Sequence, residues 1–356
     1  MKKILILVND VTTVLQFRCE LVHALVAEGH EVLVSVPQNE RIPEIEALGA
    51  KVVETEVVRH GKNPFKDLKL LRRYKKLLKE IRPDIVLTFT IKPNVYGGIA
   101  CGKLKIPYVA NITGLGVVGE GGIMQKLMLW LYKKGLKKAK CVFFQNQENE
   151  AFFREKKVVS GETELLPGSG VNVERFSFME YPENERTNIV FVGRIIKDKG
   201  VFELAEAAKR IKERENVRFT IVGDVEYGSE NPFVNMPNVN CVGFHKDVKP
   251  YLEYAHAIIL PSYHEGMANV LLEAAACGRP ILASKIPGCQ ETFEEGITGF
   301  GFESKNVETL CDVIKKFVAL SYEQKREMGK AGRKKIEEQF NRQIVVNKYL
   351  EQINSL

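Results

Sequence analysis

Ala257-Ile-Ile-Leu-Pro-Ser-Tyr-His-Glu-Gly-Met-Ala-Asn-Val-Leu-Leu-Glu-Ala-Ala-Ala-Cys-Gly-Arg-Pro280 reads as strand, loop, helix and stop. Residues 257–260 are apolar without interruption and end at Pro261, the pattern of a strand buried on both faces of a parallel sheet. An Ala-rich helix follows the loop, and Cys277-Gly-Arg-Pro280 stops it. Two acids are spaced along the segment: Glu265 in the loop and Glu273 about one turn inside the helix. Free backbone N–H groups at the helix start, near Ala268 and Asn269, suit an anionic ligand, and Met267 beside them is a further donor-site candidate. Glu273 shares a helix face with Asn269 and can take ribose hydroxyls while the helix end holds phosphate. The economical reading is a nucleotide diphosphate site.

Upstream stands Asn188-Ile-Val-Phe-Val-Gly-Arg-Ile-Ile-Lys-Asp-Lys-Gly200. Its first five residues make an apolar strand, Gly193 turns the chain, and a helix is expected over 201–212. Arg194 and Lys199 therefore fall at the carboxyl end of a strand, where open α/β sheets bind ligands. A guanidinium fork and a compact ammonium suit phosphate oxygens and can neutralise a departing diphosphate without a metal.

These two elements together resemble glycosyltransferase family 4, retaining nucleotide-sugar-dependent enzymes of GT-B fold. The family's paired-glutamate signature is matched by Glu265 and Glu273, and its Gly-Arg…Lys-Gly element by Gly193, Arg194, Lys199 and Gly200. Pro287-Gly-Cys-Gln-Glu291, Gly296 and Thr298-Gly-Phe300 continue the likeness downstream. The resemblance implies that Arg194 and Lys199 bind the diphosphate, Glu273 the ribose, and Glu265 the donor sugar. It implies retention of configuration, a UDP-sugar donor, and no cofactor. Asp-x-Asp, the metal-binding element of the other large glycosyltransferase fold, does not occur, so no metal is expected. Two departures touch sugar recognition. Ala268 stands where many members carry proline, and no histidine lies between His60 and His245 to contact the donor sugar as in many members.

The chain of 356 residues is long enough for two α/β domains with separate cores. Seven cysteines are scattered singly without metal spacing, which fits a reduced cytoplasmic setting. The run Ile4–Val8 is too short for a signal-peptide core and reads as a first strand. No apolar stretch approaches 18 residues, so nothing is expected to span a membrane.

The net charge of +7 is concentrated in one half. Residues 59–82 carry Lys62, Lys66, Lys69, Arg72, Arg73, Lys75, Lys76 and Lys79, and Met124–Lys140 interleaves lysines with Leu127, Met128, Trp130 and Tyr132. Two readings stand: helices lying on anionic lipid, or core-facing helices with solvated lysine faces. The concentration of both segments in one half favours peripheral attachment to the inner face of the plasma membrane. No nucleic-acid recognition module is present, so nucleic acid is not an expected partner.

Along the chain, strands are expected at 4–8, 31–36, 51–55, 84–89, 108–112 and 141–145, with helices near 16–28, 65–81, 93–103 and 123–139. Strands at 188–192, 219–222, 239–242, 257–260 and 280–283 form a second series, closed by helices at 305–319, 322–338 and 341–354. The pattern predicts two Rossmann-like domains with parallel sheets facing across a cleft. The first, acceptor-binding, spans 1–180; the second, donor-binding, spans 181–340; the last helix, 341–356, packs back on the first. Gly168-Ser-Gly170 and the polar run Tyr181–Thr187 mark the expected linker. In the second domain Phe244 and Lys246 follow a strand and are candidates to lie against the base, with simple packing an equal alternative for Phe244. In the first domain Arg18, Lys92, Thr113 and Gly114 lie just beyond strands; Arg18 and Lys92 suit the diphosphate of a lipid-linked acceptor. These segments resemble the bacterial branch that glycosylates undecaprenyl-diphosphate-linked sugars. Two other functions remain on the sequence: a UDP-N-acetylglucosamine 2-epimerase-like isomerase, and a non-catalytic nucleotide-sugar-binding scaffold. A dinucleotide oxidoreductase is excluded, because Asn9-Asp-Val-Thr-Thr-Val14 lacks the glycine fingerprint.

Overall fold

The computed structural model describes residues 1–57, 64–114, 122–183, 186–211 and 216–356. Arg59, His60, Lys62, Leu115, Gly116 and Lys212, and part of the expected linker, lie outside the described residues. Two compact units are formed: Met1–Ser169 with Gln343–Leu356, and Gly170–Arg342.

The first unit runs β1 (Lys3–Leu7), α1 (Val11–Phe17), α2 (Cys19–Ala27), β2 (Glu31–Val36), α3 (Ile42–Glu46), β3 (Lys51–Glu54), α4 (Pro64–Ile81) and β4 (Ile85–Phe89). It continues with a π-helix (Pro93–Gly97), α5 (Gly98–Leu104), β5 (Tyr108–Ile112), α6 (Gly122–Leu136), β6 (Cys141–Phe144), α7 (Gln147–Glu155) and β7 (Thr163–Leu165). Its seven strands are all parallel, in the order β3-β2-β1-β4-β5-β6-β7. The central strands are apolar on both sides because both faces are covered. Ile4, Ile6, Ile85, Leu87 and Phe89 pack with α1, α2 and the last helix of the chain, whereas Leu5, Leu7 and Val86 pack with α4 and α5.

The second unit contains β8 (Thr187–Val192), α8 (Val201–Arg210), β9 (Val217–Val222), β10 (Val239–Gly243), α9 (Lys249–Glu253), β11 (Ala257–Leu260), α10 (Asn269–Ala276), β12 (Ile281–Ser284), β13 (Gly299–Phe302), α11 (Val307–Val318) and α12 (Tyr322–Gln339). Its six-stranded parallel sheet is ordered β10-β9-β8-β11-β12-β13. β8 and β11 are neighbours, so the segments carrying Arg194 and Glu265 leave adjacent strands at the same edge. Glycines permit the close packing of that edge. A Cβ on Gly200 (φ +67) would stand 2.0 Å from the Pro261 carbonyl oxygen, and one on Gly223 1.9 Å from that of Gly193.

The chain enters and leaves the second unit side by side. Val171 N donates to Phe340 O, and Arg342 N donates to Val171 O. α13 (Arg342–Asn354) then buries Val345, Val346, Tyr349 and Ile353 in the first unit's core. Tyr181 is interior to the second unit rather than part of a linker: its ring meets Tyr322 and His256, and its hydroxyl donates to His256 O. The polar composition of 181–187 concealed this burial of its first residue. The helix expected at 16–28 is two helices broken at Arg18 (φ −137).

Candidate functional site

The carboxyl ends of β8, β9, β10, β11 and β12 gather most of the predicted donor-site residues. Lys199 ends a short 3-10 turn after β8, and Glu265 lies in the loop after β11; their side chains form an ion pair at 2.5 Å, both largely shielded from solvent. Ser262 Oγ donates to the same Glu265 oxygen at 2.7 Å. Tyr263 N donates to Asp198 O, and the Tyr263 hydroxyl donates to Glu203 Oε1 at 2.6 Å, so the two loops are tied at three places. Arg194 is exposed and pairs with Glu226 at 2.7 Å, not with the two glutamates.

Gly288 (φ +83) turns the loop after β12 against this assembly; a Cβ there would stand 2.8 Å from the carbonyl oxygens of Glu265 and Gly266. That docking corrects one expectation. Ala268 N donates to Gly288 O at 2.8 Å and Asn269 N to Met267 O at 3.0 Å, so the two donors expected to be free are committed. The Ala268 donor is taken by the approach of a third strand end, which no local pattern reveals, and the Asn269 donor by a tight turn of its own loop. Met267 and Ala268 are buried and present little side chain. The Oδ1 atom of Asn269 is buried without a hydrogen-bond partner among the described residues.

Glu273 sits on α10 one turn beyond Asn269, half-buried, and accepts no hydrogen bond from a described residue. Burial raises its pKa to about 7, against the smaller lowering influence of Arg342 and Arg175. The buried Cys289 thiol behind the loop is also pushed well up, by burial and then by Glu265. At the far side Phe244 is 67% exposed, its N–H donating to Asp224 Oδ1 at 3.0 Å, and Lys246 is exposed. Exposure removes packing as the account of Phe244. Gly193 N donates to Val222 O.

Arg18, expected to suit the acceptor's diphosphate, is only 2% exposed. Its guanidinium lies 4.6 Å from the Phe89 ring centroid and donates to Phe17 O, bridging the break between α1 and α2. It is turned inwards because the break points this side chain at the core. Lys92 pairs with Asp67 at 2.9 Å beside a small cavity of about 100 Å³, which Lys66, Lys69, Arg73 and Glu56 also line, Arg73 pairing with Glu56 at 2.6 Å. Thr113 is exposed and Gly114 half-buried.

Sequence reasoning did not single out Ser262, Tyr263 or Glu203. The position of Ser262 just past a strand end and three residues before Glu265 was a usable signal; Glu203 carried none. Among the described residues one trio is spaced for a cation, Cys141, Glu162 and Glu164 in the first unit. Its acids are engaged by Gln352, and Glu164 also by Lys348.

On the first unit, α4 and α6 both pack against the π-helix and α5. Each keeps an apolar stripe in solvent among its lysines: Phe65 and Leu68 on α4, and Ile123, Leu127 and Trp130 on α6. Lys134 Nζ lies 5.6 Å from the Trp130 ring centroid. No helix of the described residues is long and apolar enough to cross a membrane.

The profile of "Glycosyl transferases group 1" matches residues 173–335, and that of "Glycosyl transferase 4-like" residues 3–146. The chain is 30% identical over 327 residues to the Campylobacter jejuni N,N'-diacetylbacillosaminyl-diphospho-undecaprenol alpha-1,3-N-acetylgalactosaminyltransferase, covering 85% of each chain. It is 28% identical over 273 residues to the Escherichia coli UDP-Gal:alpha-D-GlcNAc-diphosphoundecaprenol alpha-1,3-galactosyltransferase, covering 70% of each. Among solved structures, the sucrose-phosphate synthase of Thermosynechococcus elongatus superposes with a TM-score of 0.82 at 20% identity, over 100% of this chain and 99% of that one. Anabaena HepE in complex with UDP-glucose gives 0.81 at 18% identity, over the whole of both chains. The fold is GT-B, as the sequence predicted.

Proposed function

The chain belongs to the group 1 glycosyl transferases, and from that membership we propose that it moves a hexose or N-acetylhexosamine from a UDP-sugar to a hydroxyl of an undecaprenyl-diphosphate-linked saccharide. The names of the Campylobacter and Escherichia coli relatives support this acceptor class, and HepE, solved with UDP-glucose, supports the donor. The chain itself is a glycosyltransferase; the donor, the acceptor and the residue roles are the proposal.

The observation that carries the site assignment is the Lys199–Glu265 pair, braced by Ser262 at the ends of adjacent strands. An ammonium has three donors, so Lys199 can hold Glu265 and a phosphate oxygen together. Charge growing on the departing UDP is met by Lys199 and by the exposed fork of Arg194, an electrostatic stabilisation strongest where water is excluded. Glu265, fixed by two donors, orients the donor sugar. Glu273 and Asn269 Oδ1 take ribose hydroxyls, and Phe244 with Lys246 lies against the base. Gly193, Met267 and Ala268 shape the backbone on which the diphosphate rests. Retention of configuration and independence of a metal belong to the same proposal, on the family resemblance and a site whose cations are side chains.

The acceptor's diphosphate is assigned to the cavity beside Lys92, Lys66, Lys69 and Arg73, with Thr113 and Gly114 on the same strand-end edge of the first unit. The apolar stripes of α4 and α6, set among lysines, support attachment to an anionic membrane surface from the cytoplasmic side. The domain division proposed is that of the two compact units.

The test is transfer from a panel of UDP-sugars to a prenyl-diphosphate-linked N-acetylhexosamine. Lys199→Ala and Glu265→Ala should each lower kcat by about 100-fold or more with an unchanged melting temperature. Undiminished transfer in both would remove the site assignment, and epimer formation from donor alone would replace the reaction itself.

A further inference from the structure

Thr90 closes β4 in the left-handed region, at φ +69, the only β-branched residue to do so among the described residues. After Ile91 and Lys92 comes the π-helix, a second irregularity of the kind that gathers at functional sites. A buried chain of hydrogen bonds holds the turn. Thr88 Oγ1 donates to Asn94 Oδ1 at 2.7 Å, Asn94 Nδ2 to Asn111 O at 2.7 Å, and Asn111 Nδ2 to the Tyr349 hydroxyl at 2.6 Å. Asn94 N also donates to Thr90 O.

Three polar atoms at this edge have no partner among the described residues and no contact with solvent: Thr90 Oγ1, Asn9 Oδ1 and Gln145 Nε2. Gln145 is only 4% exposed. The sheet register places Asn9 and Thr90 after adjacent strands and Gln145 two strands beyond Thr90. Leu7 pairs with Thr88, which carried two places on brings Asn9 beside Thr90, and Ile112 pairs with Phe144, one place before Gln145. Strands β1, β4, β5 and β6 are consecutive in the sheet. Asn9 and Gln145 are therefore about three strand spacings apart, or about 14 Å between backbones, with Thr90 between them.

The neighbouring charges are already engaged. The Asp10 carboxylate caps α1 through Thr13, and Lys92 pairs with Asp67. What the edge offers is an acceptor, a donor and a hydroxyl that serves as either. Such a set matches hydroxyl and acetamido groups of an uncharged ring, and has nothing to offer a phosphate. We infer that Asn9, Thr90 and Gln145 form a rim that reads the terminal sugar of the acceptor, separately from the cationic cavity beside Lys92. The inference rests on the acceptor reading above and deepens it: one edge divides into a neutral sugar-reading part and a diphosphate-holding part.

Steady-state kinetics with N-acetylglucosaminyl-diphospho-farnesol as acceptor and a UDP-N-acetylhexosamine as donor tests the rim. Thr90→Gly removes the hydroxyl and accepts the backbone conformation, Gln145→Met keeps the volume, and Asn9→Ala is the smallest deletion. Each should raise the acceptor KM by about three- to tenfold, the worth of one neutral hydrogen bond, with the donor KM within about twofold of wild type. Thermal melting verifies that each variant is folded. An unchanged acceptor KM in both Thr90→Gly and Gln145→Met, or an equal rise in donor KM, overturns the rim. If the wild type instead transfers only to a sugar lacking the prenyl diphosphate, the lipid-linked reading fails. The variants' KM for that sugar then upholds or overturns the rim.

Discussion

Titration of Glu273 should govern how tightly the donor binds across neutral pH. Burial raises this carboxyl from the usual 4.5 to about 7 in the ligand-free protein. The folded state therefore holds the proton more tightly than the unfolded chain does. From this group the empty protein loses stability as pH rises from about 4.5 to about 7, and nothing further changes above that range. Donor binding runs the other way, because ribose hydroxyls donate to the carboxylate. With a pKa near 7 the ionised fraction is about 90% at pH 8 and about 9% at pH 6, so affinity should fall by up to about tenfold over that interval. The assay is isothermal titration with an intact UDP-sugar, whose diphosphate does not change charge in this range, for wild type and Glu273→Gln. Wild type should weaken on acidification, and the glutamine variant should bind with a flat profile. A flat wild-type profile, or the same slope in Glu273→Gln, would refute the placement of this carboxylate on the ribose.

Three further outcomes are expected. Gly200→Ala should lower the melting temperature and transfer together, because its Cβ meets the Pro261 carbonyl oxygen at 2.0 Å in a left-handed turn; differential scanning calorimetry should register a loss of about 1 kcal/mol or more. Tyr263→Phe removes the bond to Glu203 that ties the Lys199 and Glu265 loops, and should lower kcat several-fold with the donor KM little changed, measured by initial rates. Replacing Ile123, Leu127 and Trp130 by serine should abolish co-sedimentation with phosphatidylglycerol vesicles while transfer to a short, water-soluble acceptor persists, and raised salt should weaken binding of the wild type.

What was legible in the sequence was what local pattern determines. The strands at 257–260 and 108–112 stand where they were expected, because each is buried on both faces and reads as an apolar run, interrupted only by Asn111 in the second. The short edge strands β7 and β13 went unread: three residues, or four of which two are glycine, are too short and too poor in strand formers to stand out. The break at Arg18 was hidden because α1 and α2 share one apolar pattern. At the site, Lys199 and Glu265 were each visible as residues of the right type at a strand end. Their direct pairing was not, since it joins positions 66 residues apart. The same holds for Gly288, whose loop takes up the Ala268 N–H: a tertiary contact decides which backbone donors are spare.

The return of α13 to the first unit bears on how the protein is made. Tyr349 supplies the last partner in the chain of hydrogen bonds beneath Thr90, and Val345, Val346 and Ile353 complete the core under β1 and β4. These residues are synthesised after the whole of Gly170–Arg342. During translation the second unit can therefore consolidate first, while the earlier-made half waits with an open apolar face. A stop codon a few residues before Val345 would thus injure the amino-terminal sheet, far away along the polypeptide, and leave the later-made sheet intact.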